Sequence, residues 1–167
     1  MHPNKKHATR DLVTVITVVK NDASNIAKTL MSVLRQSYPH IQYIILDGAS
    51  TDGTLEILRT FSGRIDVLIS GQDYGIYDAM NRGIHQALGE WVFFLNSGDV
   101  FNNENVLTDL SRFFGTNNDL IFGDAIIIDK NGEQHIQSHK PMSRFTLLKR
   151  TICHQSILFK RQLFTDI

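Results

Sequence analysis

Cysteine is almost missing from this chain of 167 residues: Cys153 stands alone, so no disulfide can form within the chain. A reducing compartment is the simpler expectation, which points to the cytoplasm, with peripheral attachment at the inner face of the membrane left open. A surplus of one charge is missing too, because 17 Lys and Arg balance 17 Asp and Glu. The broad basic footprint of a nucleic-acid binder is therefore absent, and no nucleic-acid partner is expected. No stretch approaches the ~20 apolar residues of a membrane span. A secretory signal is imitated but not met. Lys5, Lys6 and Arg10 precede an apolar run, but Asp11 interrupts them, Thr14 and Thr17 sit inside the run, and Lys20-Asn21-Asp22 follows without a small-x-small cleavage site. Repeats, low-complexity tracts and a clear linker are also lacking. With 42% hydrophobic and 20% charged residues, the chain reads as one ordinary globular domain.

What the chain has is an alternation of apolar runs and amphipathic segments. Residues 12–19 predict a buried strand. Asp22 or Ser24 can cap a helix whose apolar face is Ile26, Leu30, Val33 and Leu34. A second strand is expected over 41–46, then a polar loop over 47–52 and a helix over 54–61. Residues 65–70 read as a third strand and 76–88 as a strong helix, with Gly89 just past its end as a C-terminal glycine. Residues 91–95 make a fourth strand. This order implies an α/β fold, Rossmann-like, with a mostly parallel central sheet and helices on both faces. The pattern then changes. Val106, Leu107, Leu110, Phe113 and Phe114 form another amphipathic helix, and 120–128 with 133–138 form a hairpin across Asn131-Gly132, a small antiparallel addition. Residues 143–150 are expected to be helical, 156–159 a strand and 160–167 the start of a helix, while 1–11 form a flexible N-terminal segment.

Ligands of such sheets bind at the carboxyl ends of the strands, and polar residues and glycines gather there. Residues 47–54 (Asp-Gly-Ala-Ser-Thr-Asp-Gly-Thr) nearly make a phosphate-binding P-loop, but Thr54 stands where the lysine belongs. An EF-hand is excluded because Ala49 occupies an oxygen-ligand position. Read locally, the segment is a tight turn with Ser50, Thr51 or Asp52 capping a helix. The strand 93–95 delivers Asn96-Ser97-Gly98-Asp99, where Asp99 can hold a divalent cation or simply make an Asx turn. Asp78 and Asn81, one helical turn apart, either face the same crevice or lie on a solvated helix face. Cys153-His154-Gln155 is no nucleophile–base pair, since adjacent strand side chains diverge. His154 and Gln155 can line an acceptor pocket, and the other histidines lack zinc-site spacing.

Together these residues resemble the family-2 inverting glycosyltransferases of the GT-A fold. The matching pieces are residues 13–21, 47–54, 73–83 with Ala87 and Gly89-Glu90, and 94–99. The nearest flavour is the bacterial capsular and exopolysaccharide branch, including colanic-acid-type enzymes. The resemblance implies a GT-A domain over 12–167 that transfers a sugar, with inversion, from a nucleotide-diphosphate sugar to a hydroxyl of a saccharide or lipid-linked saccharide. It implies that Thr17, Val18, Lys20, Asp47 and Gly48 hold the nucleoside, and that Asp78, Asn81, Asn96 and Ser97 complete the donor site. Asp99 would hold Mn²⁺ or Mg²⁺ on the diphosphate. Three departures stand out. Gly48 replaces the second carboxylate common after Asp47, and Asn96 and Gly98 leave one carboxylate in the metal loop. No acidic motif of the family's general base precedes Ile167, so the domain is expected to be truncated at its C-terminus; Asp124 and His154 are the remaining candidates for the catalytic base. Two other classes compete: a donor-binding domain without catalysis, and a nucleotidyltransferase, which expects a glycine-rich loop after the first strand where this chain has Val18-Val19-Lys20-Asn21-Asp22.

Overall fold

A computed structural model describes residues 11–115, 117–137 and 154–164. The first ten residues, the expected helix over 143–150 and Cys153 lie outside the described residues. All seven residues of β1 (Val13–Val19) are buried. That burial fixes its place at the centre of the sheet, because only a strand covered on both faces and paired on both edges hides every side chain. β1 pairs in parallel with β2 (Ile41–Asp47) on one side and with β4 (Trp91–Phe94) on the other, and β3 (Val67–Ser70) extends the sheet beyond β2. The strand period sorts the side chains into two layers. Val15, Tyr43, Ile45 and Phe93 pack with Ile26, Leu30 and Val33 of α1 (Ile26–Leu34) and Leu58 of α2 (Thr54–Thr60). Ile16, Ile44, Leu46 and Val92 pack on the other face with Ala79 and Met80 of α3 (Ile76–Gln86). Leu107 of α4 (Val106–Ser111) joins the first layer. The α/β sandwich read from the sequence is thus present.

The second half departs from expectation. The apolar run 120–128 is two strands that part company at Gly123-Asp124. β5 (Leu120–Phe122) belongs to the main sheet, whereas β6 (Ala125–Ile128) pairs with β7 (Gln134–Gln137) in a separate two-stranded ribbon. The Gly123 amide is drawn to the Ser156 carbonyl at 3.0 Å, the last tie to the main sheet before the chain turns out. The antiparallel member of the main sheet is instead β8 (Ile157–Lys160), inserted between β4 and β5 in the order β3-β2-β1-β4-β8-β5. Residues 161–164 form a 3-10 turn rather than an α-helical start, and Phe164 packs against Phe94 and Phe159.

Two glycines act by size. A Cβ on Gly83 would lie 2.7 Å from Ile16 Cγ2, so α3 rests closely on the sheet there. Gly89 is not the expected helix terminator. α3 ends at Gln86, Gly89 has no left-handed backbone, and a Cβ there would lie 2.5 Å from the Leu12 carbonyl oxygen. Its amide donates to Thr14 Oγ1 at 3.0 Å, which aligns β4 with β1.

The helix starts are also built differently. Asn25 and Gly53 occupy the N-cap positions of α1 and α2, and neither cap has a side-chain hydrogen bond. The Asp22 backbone carbonyl takes the amides of Asn25 and Ile26, which frees its carboxylate for other work. Asp52 accepts the Thr54 amide at 3.1 Å and the Thr54 hydroxyl at 2.6 Å, and its second oxygen accepts the Ala23 amide at 3.0 Å. One carboxylate thereby ties the start of α2 to the turn after β1. The Thr54 hydroxyl, helped by the Ala23 amide, holds the Asp52 carboxyl below the usual carboxylate range.

Two outcomes follow from this packing. Gly89→Ala forces the β1–β4 contact apart, so it lowers the urea midpoint by the equivalent of about 1–3 kcal/mol with an unchanged slope. Asp52 has a lowered folded-state pKa, so its contribution is complete above the ordinary value of 3.8 and fades as pH falls through the lower folded value. Asp52→Asn is therefore less stable than the wild type at pH 6, and the gap narrows below about pH 4 in denaturation curves measured across that range.

Candidate active site

The four parallel strands carry their carboxyl ends to one edge, and the strand order reverses beside β1, between β2 and β4. A crevice opens at such a switch point. Two polar loops flank it, one after β2 and one after β4, and the turn between β1 and α1 lies between them.

On the β2 side, Asp47 ends its strand almost fully buried. Its carboxylate accepts the Ser70 hydroxyl at 2.6 Å and the Ser50 amide at 3.3 Å. Its backbone carbonyl accepts the Gly71 amide at 2.9 Å, which binds the ends of β2 and β3 together. Ala49, next but one, is held in the left-handed region at φ 57°, a conformation that costs a residue with a Cβ roughly 1–2 kcal/mol. Gly48 is small for a reason the sequence did not reveal. A Cβ there would meet Asp73 Oδ2 at 2.7 Å and Lys20 Cδ at 3.3 Å. A second carboxylate, that of Asp73, therefore stands beside Gly48, brought in by the loop after β3 rather than by position 48. Asp73 is fixed by the Gly75 amide at 3.0 Å, and the unusual backbone of Gly75, at φ 112°, lets the chain turn into α3 there. Asp78 accepts the Tyr74 amide at 3.3 Å and so closes the same loop.

On the β4 side, residues 96–99 form a turn in which the Asp99 amide donates to the Asn96 carbonyl at 3.1 Å. The Ser97 amide donates to the Val18 carbonyl at 3.1 Å, and the Gly98 amide to Thr29 Oγ1 at 3.0 Å. Asn96 and Asp99 are half-buried on this edge. Their side chains offer only oxygen and amide donors, the set that suits a hard cation. Mg²⁺ and its like need one or two protein carboxylates when phosphates and water supply the rest. The residues present fit such an ion, with Asp99 as its carboxylate and Asn96 close enough in sequence to reach a metal-bound water.

The remaining expected site residues are placed as follows. The Thr17 side chain is not at the crevice: it is fully buried, and its hydroxyl shares a hydrogen bond with Tyr43 at 3.1 Å in the layer under α1 and α2. Strand alternation puts it there, and Tyr43 is pushed well above the usual tyrosine range mainly by burial. The Val18 side chain is likewise buried, in the layer under α3. Lys20 is exposed at the edge beside Gly48. Asn81 is exposed on α3, five residues past its first residue and so roughly 7 Å along its axis. Asp124 is exposed at the carboxyl end of β5, which runs in the direction of β4 with β8 between them. His154 opens the 3-10 turn that leads into β8, and because β8 is antiparallel this turn lies at the same edge.

Sequence reasoning missed the connecting residues. Asn21, left-handed at φ 52°, donates its amide to Ser50 Oγ at 2.8 Å and accepts the Thr51 amide on Oδ1 at 2.8 Å. The Asp22 amide donates to Thr54 Oγ1 at 2.9 Å, while its carboxylate accepts the Ser97 hydroxyl at 2.6 Å. An Asn-Asp pair one residue past a buried strand is the one local signal of this role, since Asn tolerates left-handed backbone better than most residues.

A curated relative from Mycobacterium bovis, a PGL/p-HBAD biosynthesis glycosyltransferase, is 33% identical over 161 residues, which are 93% of this chain and 62% of that protein. The chain thus spans about three-fifths of the length of this relative. Among solved structures, residues 1–349 of S. aureus TarS in complex with UDP-GlcNAc superpose with a TM-score of 0.73 at 23% identity, covering 93% of this chain and 47% of that one. The mannosyltransferase PcManGT from Pyrobaculum calidifontis, in complex with GDP-Man and Mn²⁺, gives 0.68 at 20% identity, covering 92% of this chain and 46% of that one. At such identities these two likenesses speak for the fold. The pattern of glycosyl transferase family 2 matches residues 14–164, nearly the whole of the described sheet and its edge, and the chain belongs to that family.

Proposed function

We propose that the carboxyl edge binds a nucleotide-diphosphate sugar and passes the sugar, with inversion, to a hydroxyl of a saccharide or lipid-linked saccharide. The observation that carries this reading is the pairing of two loops on one crevice, a buried carboxylate at β2 with a second beside Gly48, and an oxygen-donor turn at β4. Relatives and structural neighbours support it through what their names state: glycosyl transfer, and complexes with UDP-GlcNAc or with GDP-Man and Mn²⁺. In this reading Asp47, with Asp73 beside Gly48, accepts hydrogen bonds from the base or ribose. Gly48 leaves room for the Asp73 carboxylate and the Lys20 side chain, and Lys20 lies near enough to meet negative charge. Val18 contributes through its backbone, which holds Ser97. Asp78 keeps the loop after β3 closed, and Asn81 extends the donor face along α3.

Asp99 and Asn96 face the diphosphate. A divalent cation, Mn²⁺ or Mg²⁺, bound by Asp99 would neutralise the charge of the departing diphosphate. In a single displacement the acceptor oxygen bonds to the anomeric carbon as the bond to the diphosphate breaks, and a base takes the acceptor proton. Asp124 and His154 are this chain's candidates for that base, His154 at the strand next to the metal turn and Asp124 one strand further on. The acceptor is of the kind used in capsular or exopolysaccharide assembly, colanic acid included. The cytoplasmic side of the membrane is where donor and acceptor would meet. No helix of the described residues is long and apolar enough to cross a membrane, so any attachment through those helices is peripheral. The nucleotidyltransferase reading loses ground, since the turn after β1 is held by Asn21 and Asp22 rather than by a glycine-rich triphosphate loop.

Thermal melts of the chain with UDP or GDP test the donor reading. At 100-fold excess over Kd a nucleotide stabilises by about 2.7 kcal/mol, an upward shift of several degrees for a domain of this size. Adding Mn²⁺ enlarges the shift, and Asp99→Ala removes only that metal-dependent part. Asp47→Asn acts differently, weakening nucleotide binding in EDTA and in Mn²⁺ alike. A chain unmoved by either nucleotide, with or without Mn²⁺, overturns the reading.

A further inference from the structure

Asp22 lies in the only turn that touches both loops of the crevice among the described contacts. Its amide reaches Thr54 Oγ1 at the start of α2, at 2.9 Å. Its carboxylate is divided: Oδ1 accepts Asn25 Nδ2 at 2.7 Å and the Ser24 hydroxyl at 3.3 Å, which fixes the carboxylate plane on the first turn of α1, and Oδ2 accepts Ser97 Oγ at 2.6 Å across the crevice. That last bond is short and charge-assisted, the stronger kind. It joins residues 75 apart in sequence. Ser97 has no freedom in its backbone either, because its amide is held by the Val18 carbonyl at 3.1 Å. Backbone and side chain together lock the first half of the turn that ends at Asp99. Oδ2 also lies 3.9 Å from the point where a Cβ on Gly98 would begin. The carboxylate thus lies along the flank of a glycine held at φ 95°.

We infer that Asp22 is a positioning residue: through Ser97 it sets the shape of the Asn96–Asp99 turn, and so governs how well that turn holds a divalent cation on a bound nucleoside diphosphate. The inference rests on the donor reading above. Asp22 does not touch the ion in this scheme. It acts as residues behind metal ligands commonly do, orienting a turn so that its carboxylate points correctly, a role whose loss commonly lowers metal affinity 10–100-fold. The link to Thr54 gives the role a second side. The turn that receives the diphosphate is referenced to the loop that receives the nucleoside, so both ends of one ligand meet a single fixed span.

The test is calorimetric titration of UDP and of GDP into the 167-residue chain, once in EDTA and once in excess Mn²⁺. The ratio of the two dissociation constants is the readout. Asp22→Ala and Ser97→Ala each reduce that ratio about tenfold or more, and Asp22→Ala leaves the EDTA affinity and the heat signature of metal-free binding in place. The double variant is no worse than either single one, the mark of a shared pathway. Asp22→Asn keeps one acceptor oxygen, enough for Ser97 at the expense of the Asn25 contact, and recovers part of the ratio. Equal loss of affinity with and without Mn²⁺, or additive losses in the double variant, overturns the inference. So does a silent Ser97→Ala alongside an Asp22→Asn as impaired as Asp22→Ala, because the charge rather than the hydrogen bond would then matter. A wild-type chain that binds neither nucleotide in either buffer defeats the donor reading itself, whereas a wild type that binds with a metal-dependent gain untouched by all four variants defeats only the role of Asp22.

Discussion

The turn between β1 and α1 is the constraint on which the functional edge depends. It contributes little apolar surface, yet its polar groups reach both neighbouring loops. Asn21, Asp22 and Ala23 exchange hydrogen bonds with Ser50, Thr51, Thr54 and Asp52 on one side, and Asp22 bonds Ser97 on the other. Each bond is worth only about 1 kcal/mol by itself. Their value lies in common attachment to β1, which is buried on both faces and cannot shift without disturbing both core layers. Rigidity made by packing is thereby passed to loops that have almost no packing of their own.

Much of the fold was legible because β1 to β4 announce themselves locally. Their apolar runs are short and bounded by polar or glycine-containing segments, and α1 and α3 repeat apolar residues at helical spacing. The later half was less legible because the deciding partners are remote. Nothing within 120–128 says that Leu120 faces Phe159 while Ile126 faces Ile136. Gly89 was misread for the same reason: a glycine after a helix suggests a cap, but its neighbour is the backbone of residue 12, far away in sequence.

The candidate site divides along similar lines. Asp47 and Asp99 could be singled out because strand ends in an alternating α/β chain are where ligands bind. Thr17 was drawn to the site by its nearness to a strand end, although strand alternation turns its hydroxyl into the core beside Tyr43. Asp73 and Asp22 could not be assigned, since their roles arise from loops that approach in space. The apparent loss of a carboxylate at position 48 is instructive here. The side chain is missing from the expected strand end, yet the space is filled by Asp73 from the next one.

The place of β8 in the sheet bears on how the chain is made. β1 to β4 are all complete by Phe94 and find their parallel partners among themselves, so the parallel half of the sheet can assemble while later residues are still being synthesised. During that interval the outer edge of β4, with Trp91, Val92 and Phe93, has no neighbour until residues 158–160 arrive. An apolar strand with an open edge is a template for pairing with another chain. The nascent protein therefore passes through a window in which an apolar strand is half-clothed, and the late insertion of β8 ends it.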